Sequence, residues 1–68
     1  MRERNIGFVQ WYSREEGRGA LVMAGQSDHI RFDREDLSGE CHGLSVEQQV
    51  SFVLDFGPVG FSARDIRP

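Results

Sequence analysis

The chain has no lysine; its eight basic residues are all arginine. It has one cysteine, Cys41, so no internal disulfide can form, and that suits a reducing compartment. Apolar residues never run near the ~20 needed to span a bilayer, which removes a membrane-spanning helix from consideration. The first residues, Met1, Arg2, Glu3, Arg4 and Asn5, lead into no apolar stretch of the secretory kind, so a cytoplasmic protein is expected. Cationic excess is lacking too. The formal net charge is −3, against the strongly basic balance by which many nucleic-acid binders neutralise phosphates.

What is present suits one small globular domain over residues 1–68. A chain of this length buries a thin core. At 38% hydrophobic and 28% charged, its composition is that of an ordinary soluble domain rather than a disordered tail. The all-arginine usage has two readings. Codon bias in a GC-rich genome would produce it, and so would a surface that stacks on bases and forks onto phosphates. Net charge also conceals distribution, and a local basic patch is compatible with an acidic protein.

Short strands broken by glycine and polar turns run along the chain. The alternation predicts strands over 6–12, 18–23, 28–33, 46–56 and 61–66, with turns at 13–17, 24–27 and 57–60. Residues 34–37 suit one helical turn that drops Leu37 onto the core, and 38–44 form a glycine-containing loop. In the third strand Ile30 and Phe32 point one way while His29, Arg31 and Asp33 point the other. In the fifth, strict period two from Ile66 would bury Arg64, so that strand's facing is ambiguous or bent. The predicted fold is all-β, a five-stranded antiparallel barrel of the OB type. Its expected core is Val9, Leu21, Ile30, Phe32, Leu37, Val50, Phe52, Leu54 and Ile66.

The order of these pieces resembles the bacterial cold-shock domain. Gly7, Val9, Trp11, Gly17, Gly19 and Leu21 match that family's first motif. Asp28, Ile30, Phe32 and Leu37 echo its second. Val50, Phe52, the run Gly57-Pro58-Val59-Gly60, Ala63 and Ile66 echo its late segment. The resemblance spans nearly the whole chain. It implies single-stranded RNA or DNA binding, with a role in RNA chaperoning or gene regulation.

Departures from the family pattern fall mainly on the binding face that the resemblance implies. Trp11 remains there, but two ring positions of the first motif hold Arg18 and Ala20. Exposed Phe, His and Phe positions of the second motif hold Arg31, Asp33 and Arg34. A loop aromatic is replaced near His42, and the two lysines beside the first motif are Gln10 and Glu16. Phe61 stands where the family places a residue edging the groove. The expected nucleic-acid-binding set is therefore Trp11, Arg18, Arg31, Arg34, His42 and Phe61, with weak or altered affinity. Trp11 would stack on a base, and the arginines would contact base planes and phosphates.

Each of these residues also has a structural reading. Trp11 could pack against the barrel wall, and the arginines could pair with Glu16, Asp33, Glu35 or Asp36. Phe8, Tyr12, Phe56 and Phe61 lie outside the clear core set; such rings commonly serve core or rim packing, and exposed together they would mark a protein-binding patch. His29, Cys41 and His42 do not amount to a zinc set, and no metal or other cofactor is expected. The acidic run at Asp33, Glu35 and Asp36 reads as a solvated turn, and no triad-like constellation points to an enzyme. The alternative function is a protein-interaction module on a scaffold that has lost nucleic-acid binding. The expected partners are thus single-stranded nucleic acid or a protein, with no membrane, and the chain itself a monomer or weak dimer.

Overall fold

The computed structural model describes residues 4–39, 41, 43–58 and 60–68. Five strands, β1 (Asn5–Ser13), β2 (Arg18–Met23), β3 (His29–Asp33), β4 (Gln49–Gly57) and β5 (Gly60–Arg67), close into a barrel of the OB type in the order β1-β2-β3-β5-β4. A single 3₁₀ turn, Arg34–Asp36, follows β3, its Asp36 carboxylate accepting a hydrogen bond from the Asp33 amide at 2.8 Å. The expected all-antiparallel pairing needs one correction. The β3–β5 closure is parallel, at Arg31↔Ser62. Parity forces this. Around a ring of five strands, direction cannot alternate at every junction.

Val9, Leu21, Ile30, Phe32, Val50, Phe52, Ala63 and Ile66 are buried in one cluster. Leu37, Leu44, Leu54, Met23 and Tyr12 are partly buried against it. Each fully buried side chain of this size contributes roughly 1.5–3 kcal/mol through removal of apolar surface from water. Leu37 reaches the core as expected. It bridges to Ile66 in parallel, while the Ser38 amide donates to the Ile66 carbonyl at 2.9 Å.

Two bulges decide which residues face outward. On β1, Val9 pairs with Leu21 but Trp11 pairs with Ala20, so one extra residue is inserted around Gln10. This shifts the phase of the strand. Val9 points into the core, Trp11 points out, and Tyr12 turns inward to stack on Phe32 with ring centroids 5.8 Å apart. On β5, Ser51 pairs with Arg67 and Val53 with Arg64, so Asp65 and Ile66 together oppose Phe52. Asp65 takes a positive φ of 51° there. The bulge lets Ala63 and Ile66, three apart, both enter the core while Arg64 stays exposed. That resolves the ambiguous facing of the last strand.

The fourth strand begins later than predicted, at Gln49 rather than 46. Residues 45–48 form a turn instead, closed by Gln48 N–H to the Ser45 carbonyl at 3.1 Å, with Glu47 at φ 68°. That turn still completes the β1 edge. Glu47 donates to the Val9 carbonyl at 2.6 Å, and Val9 donates to the Gln48 carbonyl at 3.0 Å.

Candidate nucleic-acid interface

The candidate face is the outer surface of β1, β2 and β3. Gly19 brings β1 and β2 close beneath it. A Cβ at Gly19 would stand 2.5 Å from the Trp11 carbonyl oxygen and 2.7 Å from the Phe32 ring, and the first of these is backbone that cannot move aside cheaply. Gly17, at φ 69°, closes the β1–β2 turn by donating to the Ser13 carbonyl at 2.8 Å.

Trp11 is 44% exposed on this face, so a large part of the indole is open to solvent. In register beside it stands Ala20, and beside Ala20 stands Arg31. Ala20, flanked by these longer neighbours, is only 4% exposed. Among the described residues the Arg31 guanidinium has no hydrogen-bond or ion-pair partner. Trp11 and Arg31 therefore form one row across the three strands, with a small residue between.

The other arginines differ. Arg18 lies on the same face, in register with Ser13 and Asp33, but its guanidinium is forked onto one carboxylate oxygen of Glu16 at 3.1 and 2.6 Å. Arg34 belongs to the 3₁₀ turn and donates to the Arg14 carbonyl at 2.7 Å, while its own amide donates to the Gly17 carbonyl at 2.7 Å. It lies against Gly17, where an added Cβ would come within 2.9 Å of the guanidinium. Arg34 thus ties the β1–β2 turn to the start of the 3₁₀ turn. Phe61 is 56% exposed but alternates with Ser62, so it shares the inward phase of Ala63 and stands at the barrel's end in an edge-on pair with Phe56, centroids 4.9 Å apart. His42 lies outside the described residues.

The structure adds two residues to this face that the sequence reading left out of the site. Phe8 is 37% exposed and pairs with Val22, and Val22 pairs with His29. Period-two counting from Trp11 would have placed Phe8 on the opposite face, and only the β1 bulge brings the two rings to the same side.

Burial pushes the Cys41 thiol up, against a smaller opposing hydrogen bond from the Gly43 backbone, so the residue stays protonated and slow as a nucleophile. Glu35, Asp36, Leu37, Arg64 and Asp65 line an open, charged depression in which Arg64 contacts Asp36 at 3.9 Å. Among the described residues no three His, Cys, Asp or Glu side chains come together as a metal site, and no helix is long and apolar enough to cross a membrane. No protein-family model matches the chain, and a search of curated proteins returns no significant match.

Proposed function

We propose that the outer face of β1–β3 binds single-stranded RNA or DNA, in the manner the resemblance to cold-shock domains implies. The observation that carries this reading is the row Trp11–Ala20–Arg31, in which a 44%-exposed indole and a guanidinium without a partner among the described residues flank a floor too small to obstruct a base. An indole plane offers about 1–3 kcal/mol of stacking per base, and a planar cation can take the adjacent phosphate or stack in turn. The barrel supplies a rigid platform and no catalytic step. RNA chaperoning or gene regulation is the class of role this chemistry serves.

Among the described residues Arg31 is the arginine of this face without a partner, and Arg18 is occupied by Glu16, so affinity is weak and salt-sensitive. Each neutralised phosphate contributes a slope of about −0.7 in log K against log salt for a single strand. Titrating oligo-dT and short RNA at low salt while following Trp11 fluorescence tests the reading. Quenching at micromolar concentrations supports it. Silence at tens of micromolar removes it and leaves the face to a protein partner, the reading that the Arg18–Glu16 pair and the net negative charge favour.

A further inference from the structure

The outer face carries the same side-chain pattern twice. One cross-strand row is Trp11–Ala20–Arg31, and the next is Phe8–Val22–His29. Each has a ring on β1, a compact apolar residue on β2 and a basic side chain on β3. Both rings are more than a third exposed, and both basic residues are exposed. Among the described residues the side chains of Arg31 and His29 have no hydrogen-bond or ion-pair partner. An imidazole retains at least one N–H donor even when neutral, so His29 can donate to a phosphate or a base edge.

The spacing suits consecutive nucleotides. On β2 the rows are two residues apart, about 7 Å at the strand rise. On β1 they are three residues apart, because the bulge at Gln10 absorbs one. A nucleotide laid across β2 would set its base on the β1 ring and its phosphate toward the β3 side chain. The pattern stops on both sides. Beyond Trp11, the row Ser13–Arg18–Asp33 offers no ring, a carboxylate on β3 and an arginine already held by Glu16. Beyond Phe8, Ile6 is aliphatic, and the carbonyl of that residue is taken by the Ala24 amide at 3.0 Å.

We infer that this face holds a two-nucleotide site for single-stranded nucleic acid, in which Phe8 is a second stacking platform and His29 its polar partner. This rests on the nucleic-acid reading above and adds to it a footprint, two named residues and a base track running along β1. The rings of this site lie on β1 alone, because the outward positions of β2 and β3 carry Arg18, Ala20, Val22, His29, Arg31 and Asp33.

The test is a titration of dT6 into the intact chain and into Phe8→Leu, Phe8→Tyr, Phe8→Ala and His29→Ala, by calorimetry and by Trp11 fluorescence. Phe8→Leu and Phe8→Ala are each expected to weaken binding roughly tenfold, while Trp11 quenching at saturation persists. Phe8→Tyr is expected to retain wild-type affinity, since it keeps the ring. His29→Ala is expected to weaken binding a few-fold. Phe8→Leu keeps apolar bulk on β1, so a folding failure of Phe8→Ala does not decide the matter. Wild-type affinity in Phe8→Leu overturns the second platform and leaves the Trp11 reading standing. Absence of dT6 binding by the unaltered chain overturns both.

Discussion

The two outer surfaces of this barrel differ in how completely their basic side chains are matched. On the β4–β5 side each described arginine is matched. Arg4 donates to the Ser51 carbonyl at 3.0 Å, to the Asp65 carbonyl at 2.6 Å and to the Asp65 carboxylate at 2.9 Å. Arg64 meets Asp55 at 3.3 Å, and Arg67 meets Asp65 at 3.2 Å. On the β1–β3 side Arg18 and Arg34 are engaged, but Arg31 and His29 lack partners among the described residues. Matched polar groups hold strands and bulges in place. Unmatched ones cost nothing in water but gain something only when a ligand arrives. The contrast separates a side whose described arginines are tied to neighbouring strands from one that leaves Arg31 and His29 without partners among the described residues.

The strongest way to break the contrast is to disturb the scaffold beneath the bare face. Gly19→Ala drives a methyl into the Trp11 carbonyl and the Phe32 ring, and is expected to cost about 1–3 kcal/mol in urea unfolding. Because Trp11 itself must shift, oligo-dT binding should fall with it. A surface site independent of the β1–β2 approach would keep its affinity.

Trp11→Ala asks for less of the fold and more of the site. Expected is a roughly tenfold loss of oligo-dT affinity, read by calorimetry, with the unfolding midpoint little moved. A large loss of stability with unchanged binding would return Trp11 to the barrel wall. Smaller still is the effect of Glu16→Ala, which removes the oxygen that accepts both bonds of the Arg18 fork. Affinity should rise a few-fold at low salt, and the salt slope should steepen by about 0.7 as one more phosphate is neutralised. An unchanged slope would show that Arg18 lies off the path of the strand.

On the matched side the sharpest prediction concerns acid. Partial desolvation raises the Asp65 carboxyl, but the hydrogen bond from Arg4 and the charges of Arg67 and Arg4 outweigh it and hold the group below the ordinary carboxylate value. A depressed folded value stabilises the fold above the unfolded pKa. That contribution is lost as pH falls through the folded value. Asp65→Asn should therefore flatten the stability–pH curve in the acid range below about pH 4, with no change in oligo-dT binding at neutral pH. An unaltered acid limb would mean that the clasp on the β5 bulge contributes nothing through charge.

Much of the barrel was legible beforehand. Clean alternation placed Ile30 and Phe32 inward and Arg31 outward, and the structure agrees. Four of the five strand starts lie within one residue of expectation; the fourth strand starts three later because the turn at 45–48 takes over the β1 edge. The site was less legible. Trp11, Arg18 and Arg31 do share a face, whereas Arg34 is used to tie a turn and Phe61 stands at the barrel's end beside Phe56. Phe8 was left among the packing rings because a period of two assigns it to the face opposite Trp11; the β1 bulge leaves no such mark as the β5 bulge does, where strict alternation would bury Arg64.

By itself the sequence determined the strands, their apolar faces and the glycines that let β1 and β2 approach, since all of these follow from local sterics and the two-residue period of an extended chain. Tertiary structure alone decided the parallel closure of β3 on β5, which is a property of a closed ring of five. It alone decided the two bulges, which insert one extra residue into β1 against β2 and into β5 against β4. Through the first bulge it also decided that Phe8 and Trp11 face the same way. Side-chain facing after a bulge depends on the neighbouring strand, and no local pattern records that neighbour.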